Sequence, residues 1–285
     1  MLYNRITKSY IKDVEQGESK LNFLYNTIIG RVLLKIVVNP FISVLYGLYN
    51  NSFVSKYKIN KFIKKSSIDV SRFEEKDYTS FNDFFTRKLK NISIDLDKNS
   101  FISPCDSKLL VYDIKDNIKF RVKGVEYSIK ELLNEDIDNI ELSKCLVFRL
   151  SLDDYHRYCF VDDGFLVCKK DIKGKLHTVR PISNDSKVYK INKRSWSLLS
   201  TENFGLIYQI EVGALFVGDI CNKRCLKFLK GEEKGYFNIG GSTIVLLVGN
   251  NVRIDDDIIE QSKLGIETIV RYGEKIGSCE DDLKC

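Results

Sequence analysis

Residues Thr243–Val248 read Thr-Ile-Val-Leu-Leu-Val, a continuous run without a charge that is bounded by Gly240-Gly241-Ser242 before it and Gly249-Asn250-Asn251 after it. So short a run, rich in β-branched residues and closed by turn formers, reads as a strand buried on both faces. Other short runs that precede it, Leu109–Tyr112, Cys145–Leu150, Leu206–Glu211 and Ala214–Val217, are bounded by Gly, Asp, Asn or Lys and read as further strands. Helical periodicity is scarce in this part of the chain; Ser128–Leu133 and Ile258–Lys263 are short candidates. The expected class is α+β: a strand-rich, barrel- or sandwich-like core over residues 67–285, preceded by a helical segment over residues 1–66.

The helical segment has a composition of its own. Residues 21–54 are rich in Leu, Ile, Val, Phe and Tyr, but Arg31 and Lys35 interrupt them, and Asn39, Pro40, Gly47, Asn50 and Asn51 break the uncharged run that follows. A spanning helix needs about 20 mostly apolar residues, and this run is too polar and too broken. It reads either as a pair of core helices or as a segment lying in the headgroup layer. The lysines that follow (Lys56, Lys58, Lys61, Lys64, Lys65) and the cluster Arg87, Lys88, Lys90 favour the second reading, with an anionic membrane surface as the partner. Met1–Lys20 is polar and lacks the apolar core of a signal peptide. The expected location is therefore peripheral, on the cytoplasmic side of the cell membrane.

Composition narrows the classes. At 285 residues, 44% hydrophobic and 29% charged, the chain can bury a sizeable core. A net charge of +6 is too modest to indicate a nucleic-acid partner. Eight scattered cysteines read as reduced thiols. Cys221 and Cys225 have no second pair or nearby histidine to complete a zinc set.

Four places could carry chemistry. His156 lies in Asp153-Asp154-Tyr155-His156-Arg157, where a carboxylate and a guanidinium flank an imidazole suited to acid–base work. His177 is the second of only two histidines. Asp106, in Ser103-Pro104-Cys105-Asp106-Ser107, is also compatible with an ordinary turn. Gly240-Gly241-Ser242-Thr243 joins glycines to a serine at the start of the buried run, where glycine permits backbone geometry closed to other residues. A metal-dependent hydrolase using His156, His177 and Asp106 is an alternative, since two histidines and a carboxylate suffice for a catalytic zinc, but it leaves Gly241-Ser242 unexplained. A non-enzymatic peripheral membrane protein accounts for residues 21–65 and nothing later.

Five segments, in this order, resemble the phosphatidylserine decarboxylase family: Phe81-Asn82-Asp83-Phe84-Phe85-Thr86-Arg87-Lys88-Leu89, Ser103-Pro104-Cys105-Asp106-Ser107, Asp154-Tyr155-His156-Arg157, Glu211-Val212-Gly213-Ala214 and Gly240-Gly241-Ser242-Thr243. The resemblance implies that Ser242 attacks the Gly241 carbonyl and splits the chain into a heavy chain 1–241 and a light chain 242–285 that remain together. Ser242 would become a pyruvoyl group, the sole cofactor, with no metal. Its ketone would form a Schiff base with phosphatidylserine, which loses carbon dioxide to give phosphatidylethanolamine. Asp106 and a histidine would assist the self-cleavage as a relay. One departure matters: Cys159 stands where many members carry a second histidine, so the relay group is His156, His177 or Cys159, of which the thiol, with an unperturbed pKa of roughly 8.5, is the poorer relay and His156 the first choice.

Overall fold

The computed structural model describes residues 1–13, 18–66, 68–115, 119–122 (backbone only), 125–136, 141–179, 187–215, 219–240 and 242–280. The first 66 residues hold strands β1 (Leu2–Asn4) and β2 (Ser9–Ile11), then helices α1 (Glu18–Asn26), α2 (Ile28–Val37), α3 (Pro40–Asn51) and α4 (Lys58–Ser66). There follow α5 (Phe81–Phe85), β3 (Ser100–Ile102), β4 (Ser107–Asp113), β5 (Lys119–Val122), β6 (Val125–Ser128), α6 (Ile129–Leu133), β7 (Lys144–Leu150), β8 (Arg157–Cys159) and β9 (Gly164–Ile172). The last part holds α7 (Val188–Ile191), β10 (Arg194–Thr201), β11 (Gly205–Gly213), β12 (Ile220–Asn222), β13 (Lys227–Phe228), β14 (Glu233–Phe237), β15 (Ser242–Val248), β16 (Val252–Ile254), α8 (Asp256–Lys263), β17 (Glu267–Val270) and β18 (Lys275–Cys279).

The apolar run becomes β15, and all seven of its residues are buried. It lies inside a ten-stranded sheet of order β13-β9-β10-β11-β15-β7-β4-β17-β1-β2, flanked by β11 and β7. Ile244, Val245, Leu246, Leu247 and Val248 are at most 1% exposed. Each such side chain contributes about 1.5–3 kcal/mol relative to leaving it in water, so this strand anchors the sheet. Every pairing is antiparallel except β1 with β17. Three smaller sheets, β12-β14-β8, β16-β18-β3 and β5-β6, complete the strands.

The α+β class holds; the barrel does not. The large sheet is open, with β13 and β2 at its two edges. The strand expected over Ala214–Val217 is also corrected: Ala214 and Leu215 lie in the loop and turn beyond β11, and Phe216 and Val217 fall outside the described residues. The two expected short helices are present as α6 and α8. Ser128 closes α6 with a capping box, its hydroxyl accepting from the Glu131 N–H.

The apolar N-terminal helices are not core helices. α1 buries none of its residues, α2 only Gly30 and Leu34, and α3 only Ser43 and Asn50. No described helix alone is long and apolar enough to cross a membrane; α2 and α3 reach that length and composition together, but they bend by 72° at their junction.

Candidate active site

Ser242 opens β15 between Gly213 of β11 and Leu150 of β7. It is fully buried, and its hydroxyl has no hydrogen-bond partner among the described residues. An unpartnered buried hydroxyl costs about 1–3 kcal/mol, so its retention at a strand start calls for a reason beyond packing. Gly240, two residues earlier, has φ +136°, a conformation that side-chain-bearing residues rarely adopt. Gly241 itself lies outside the described residues.

His156 is the imidazole beside this turn. It is 1% exposed, its backbone carbonyl accepts from Phe237 N–H, and its ring lies 4.2 Å from that of Phe85 between centroids. Nδ1 lies 2.9 Å from the Asp154 carbonyl oxygen. A carbonyl can only accept, so Nδ1 carries the proton and Nε2 of the neutral ring presents a lone pair. Nε2 is buried and makes no hydrogen bond of good geometry among the described residues. Burial pushes the imidazole down to about 3; the charges of Arg87 and Lys108 act in the same direction, and the Asp154 and Gly240 backbones oppose them. His156 is therefore a neutral base held next to the backbone that leads into Ser242.

Its surroundings are fixed by Asp154, whose carboxylate accepts from Lys108 Nζ at 2.5 Å and from Ser151 N–H at 2.7 Å. Arg87 lies between the rings of Phe73 and Phe84, is 2% exposed, and reaches only backbone carbonyls at 3.4–3.5 Å. Burial pushes its guanidinium down to about 10.

Asp106 and His177 do not join His156. The Asp106 carboxylate accepts from Tyr272 N–H at 2.8 Å and Arg271 Nη1 at 3.2 Å, with Arg72 at 3.8 Å. It opens onto a cavity of about 360 Å³ that it shares with Lys108, Asp153 and Arg271. The His177 imidazole meets Tyr25 of α1 at 3.3 Å, while its backbone is tied to Asn192, which also donates to the Gly213 carbonyl. Three ligands for a zinc therefore do not converge, and among the described residues no group of three or more His, Cys, Asp or Glu could hold a metal. Cys159 is fully buried, and burial pushes its thiol up to about 12, so a thiolate is not available near neutrality.

A second cavity, of about 560 Å³, lies between the N-terminal helices and the start of β15. Gly240, Ile239, Leu150 and Ala214 line it on the sheet side, Phe81, Phe85 and Tyr46 on the helix side.

The family model described as "Phosphatidylserine decarboxylase" matches residues 81–278, which span α5, His156, Ser242 and β18. The chain belongs to the phosphatidylserine decarboxylase family. Proteins named "Phosphatidylserine decarboxylase proenzyme 2" from Clostridium acetobutylicum and "Phosphatidylserine decarboxylase proenzyme" from Clostridium botulinum strain 657 are 49% and 45% identical to it, over 98% and 97% of this chain and 99% and 98% of theirs. A protein of the latter name from Desulfitobacterium hafniense is 42% identical over 96% of this chain and 97% of its own.

Within this family member, sequence reasoning missed Asn82. Its side-chain carbonyl accepts from Ile239 N–H at 3.1 Å, and its amide donates to Asn238 at 3.1 Å and Asn51 at 2.8 Å. It pins the backbone just ahead of the glycines to α5. The Phe-Asn-Asp-Phe-Phe motif was its signal, but a motif alone does not say what an amide holds.

A pH dependence follows from His156. The unfolded imidazole binds a proton near its unperturbed pKa of ~6.5, whereas the folded one resists protonation down to about 3. Between those values the unfolded state holds more protons, so stability falls as pH falls, by roughly 1.4 kcal/mol per pH unit. Thermal unfolding of the Ser242→Ala protein from pH 7 to 4 should show a shallower slope once His156→Asn is added; identical slopes would contradict the neutral, buried ring.

Proposed function

We propose that this chain decarboxylates phosphatidylserine to phosphatidylethanolamine and carbon dioxide, using a pyruvoyl group made from Ser242 when the chain cleaves itself between Gly241 and Ser242. The observation that carries this reading is the buried Ser242 hydroxyl, without a hydrogen-bond partner among the described residues, at the head of the central strand and two residues after Gly240 with its φ of +136°. The names of the relatives, each a decarboxylase proenzyme, support it.

In the self-cleavage, the Ser242 oxygen attacks the Gly241 carbonyl and displaces the Ser242 nitrogen, giving an ester. Loss of the Ser242 α-proton then expels the Gly241 carboxylate. Water converts the resulting dehydroalanine to the pyruvoyl group with release of ammonia. These proton transfers are assigned to His156, whose neutral ring is held by the Asp154 carbonyl beside the Gly240 backbone. Asp106 acts through assembly rather than on the imidazole: it joins the heavy chain to Arg271 and Tyr272 of the light chain. His177 orients the edge of the site through Asn192 and Gly213. The pyruvoyl carbonyl supplies an electron sink for decarboxylation.

The light chain stays in place because β15 pairs with β7 and β11, both in the heavy chain. Arg149 to Glu267, and Arg5 to Asp255, Asp257 and Glu274, add ion pairs across the same division. Purified protein should form phosphatidylethanolamine from phosphatidylserine, and Ser242→Ala should form none. Turnover by Ser242→Ala would overturn the reading.

The proposal includes peripheral binding at the cytoplasmic face of the membrane. α2, α3 and the residues after them leave Ile28, Ile29, Val32, Phe41, Leu48 and Phe53 between 58% and 84% exposed, an apolar surface larger than scattered side chains explain. Binding to anionic vesicles should weaken at high salt, because charge attraction is screened within about 8 Å at physiological ionic strength. Protein that resists extraction by both salt and alkaline carbonate would contradict a peripheral mode.

A further inference from the structure

The lysine run after α3 does not all face one way. Lys56 pairs with Asp77 at 2.7 Å. Lys58, Lys61 and Lys65 instead line the 560 Å³ cavity together with Phe62. Their spacing of three and four places them on one face of α4. Lys20 lines the same cavity, and no Asp or Glu does. The remaining cation of the lining, Arg149, is already satisfied by Glu267 and Asp13. None of the four lysines has an ion pair among the described residues.

Lys58 is the most constrained of them. Its Nζ lies 4.0 Å from the centre of the Tyr49 ring, 5.3 Å from Tyr46 and 5.8 Å from Phe81. It donates to Asn50 Oδ1 at 3.0 Å. An ammonium has three donors, so this hydrogen bond leaves two for a ligand. Aromatic faces hold the cation without neutralising it, which leaves its charge available to the cavity. Burial lowers the Lys58 pKa, and a bound anion would oppose that shift.

We propose that Lys58, supported by Lys61 and Lys65 along the same helix face, forms a subsite for the phosphodiester of a phospholipid whose headgroup reaches towards Gly240. The apolar residues Leu21, Leu24 and Phe62 line the same space and suit the first carbons of the acyl chains. This rests on the decarboxylase reading and adds to it which residues separate a phospholipid from free serine.

The test uses the self-processed protein and dihexanoyl phosphatidylserine below its micelle concentration, so that no bilayer contributes. Lys58→Met should raise KM about tenfold and leave kcat nearly unchanged, since an anchor remote from the reacting carbon binds ground and transition states alike. Lys58→Arg should restore most of the affinity. Lys61→Met/Lys65→Met, at exposed positions where folding is not at risk, should raise KM about threefold. Lys263→Met, at the end of α8, serves as the charge control. An unchanged KM in Lys58→Met would overturn the proposal.

A binding arm separates this from failure of the enzymatic reading. Uncleaved Ser242→Ala protein, titrated calorimetrically with the same lipid, should bind it about tenfold more tightly than Ser242→Ala/Lys58→Met does. Inorganic phosphate should compete only weakly. Competition by inorganic phosphate as strong as by the lipid would overturn the assignment to a lipid headgroup. Lipid binding that depends on Lys58 in a protein that releases no carbon dioxide would count against the decarboxylase and not against the subsite.

Discussion

Lys234→Met is expected to destabilise the protein by roughly 3–5 kcal/mol, the usual cost of leaving one member of a buried ion pair without its partner. Lys234 and Glu211 meet at 2.8 Å with side chains 3% and 0% exposed. Asn222 bridges them, donating to Glu211 Oε2 at 3.1 Å while its carbonyl accepts from Lys234 at 3.1 Å and from the Tyr158 hydroxyl at 3.0 Å. The pair joins β11, which borders β15, to β14, the last strand before Ser242. Burial pushes the Glu211 carboxyl up and Lys234 pulls it back, so removing the ammonium leaves the carboxyl with a strong preference for its protonated form. Replacing both, as Glu211→Leu/Lys234→Met, should recover at least half of the loss, because apolar packing of similar volume replaces a buried pair at little cost. Denaturant unfolding of the Ser242→Ala background reads both values. A loss below about 1 kcal/mol in Lys234→Met would show that β14 does not depend on the pair.

His156→Asn is expected to slow chain splitting by about 10²- to 10⁴-fold, the range that a positioned general base contributes. The asparagine amide can still donate to the Asp154 carbonyl, so the loop should keep its shape while the free lone pair is removed. His177→Ala should split within a few-fold of the parent rate, because its imidazole contacts Tyr25 rather than the turn before Ser242. Cys159→Ala should split as well, since its thiol stays protonated. Time courses of chain splitting after denaturing electrophoresis rank the three. Normal splitting in His156→Asn together with failure in Cys159→Ala would assign the relay to the thiol and refute the role given to the imidazole.

The strands that form the middle of the sheet were legible because their signal is local. Thr243–Val248, Cys145–Leu150 and Leu109–Tyr112 are apolar runs between turn formers, and they became β15, β7 and β4. The openness of the sheet was not legible. Whether edges close depends on strand order, and the parallel pairing of β1 with β17 joins residues more than 260 positions apart. The polar start of the chain gave no strand signal either, since β1 and β2 are three residues each, with β2 at the sheet edge and β1 next to it. At the site, Ser242 and His156 were visible from motif and residue type. Which groups they meet was not: the Asp106 carboxylate is taken by Arg271 and Tyr272, and a backbone carbonyl rather than a side chain sets the His156 tautomer. Backbone partners leave no trace in residue identity. The same limit hid the division of labour among the lysines, where Lys56 turns to Asp77 and Lys58 to a ring-lined cavity.

Intact-mass analysis of the purified protein and of Ser242→Ala tests the central claim most directly. The account predicts two masses for the parent chain, residues 1–241 and residues 242–285, with the smaller one lighter by one ammonia than the peptide its sequence encodes, as a pyruvoyl group at position 242 requires. Ser242→Ala should give one mass, that of the unbroken chain. A parent protein that remains a single chain while releasing carbon dioxide from phosphatidylserine, or a Ser242→Ala protein cut after Gly241, would contradict it.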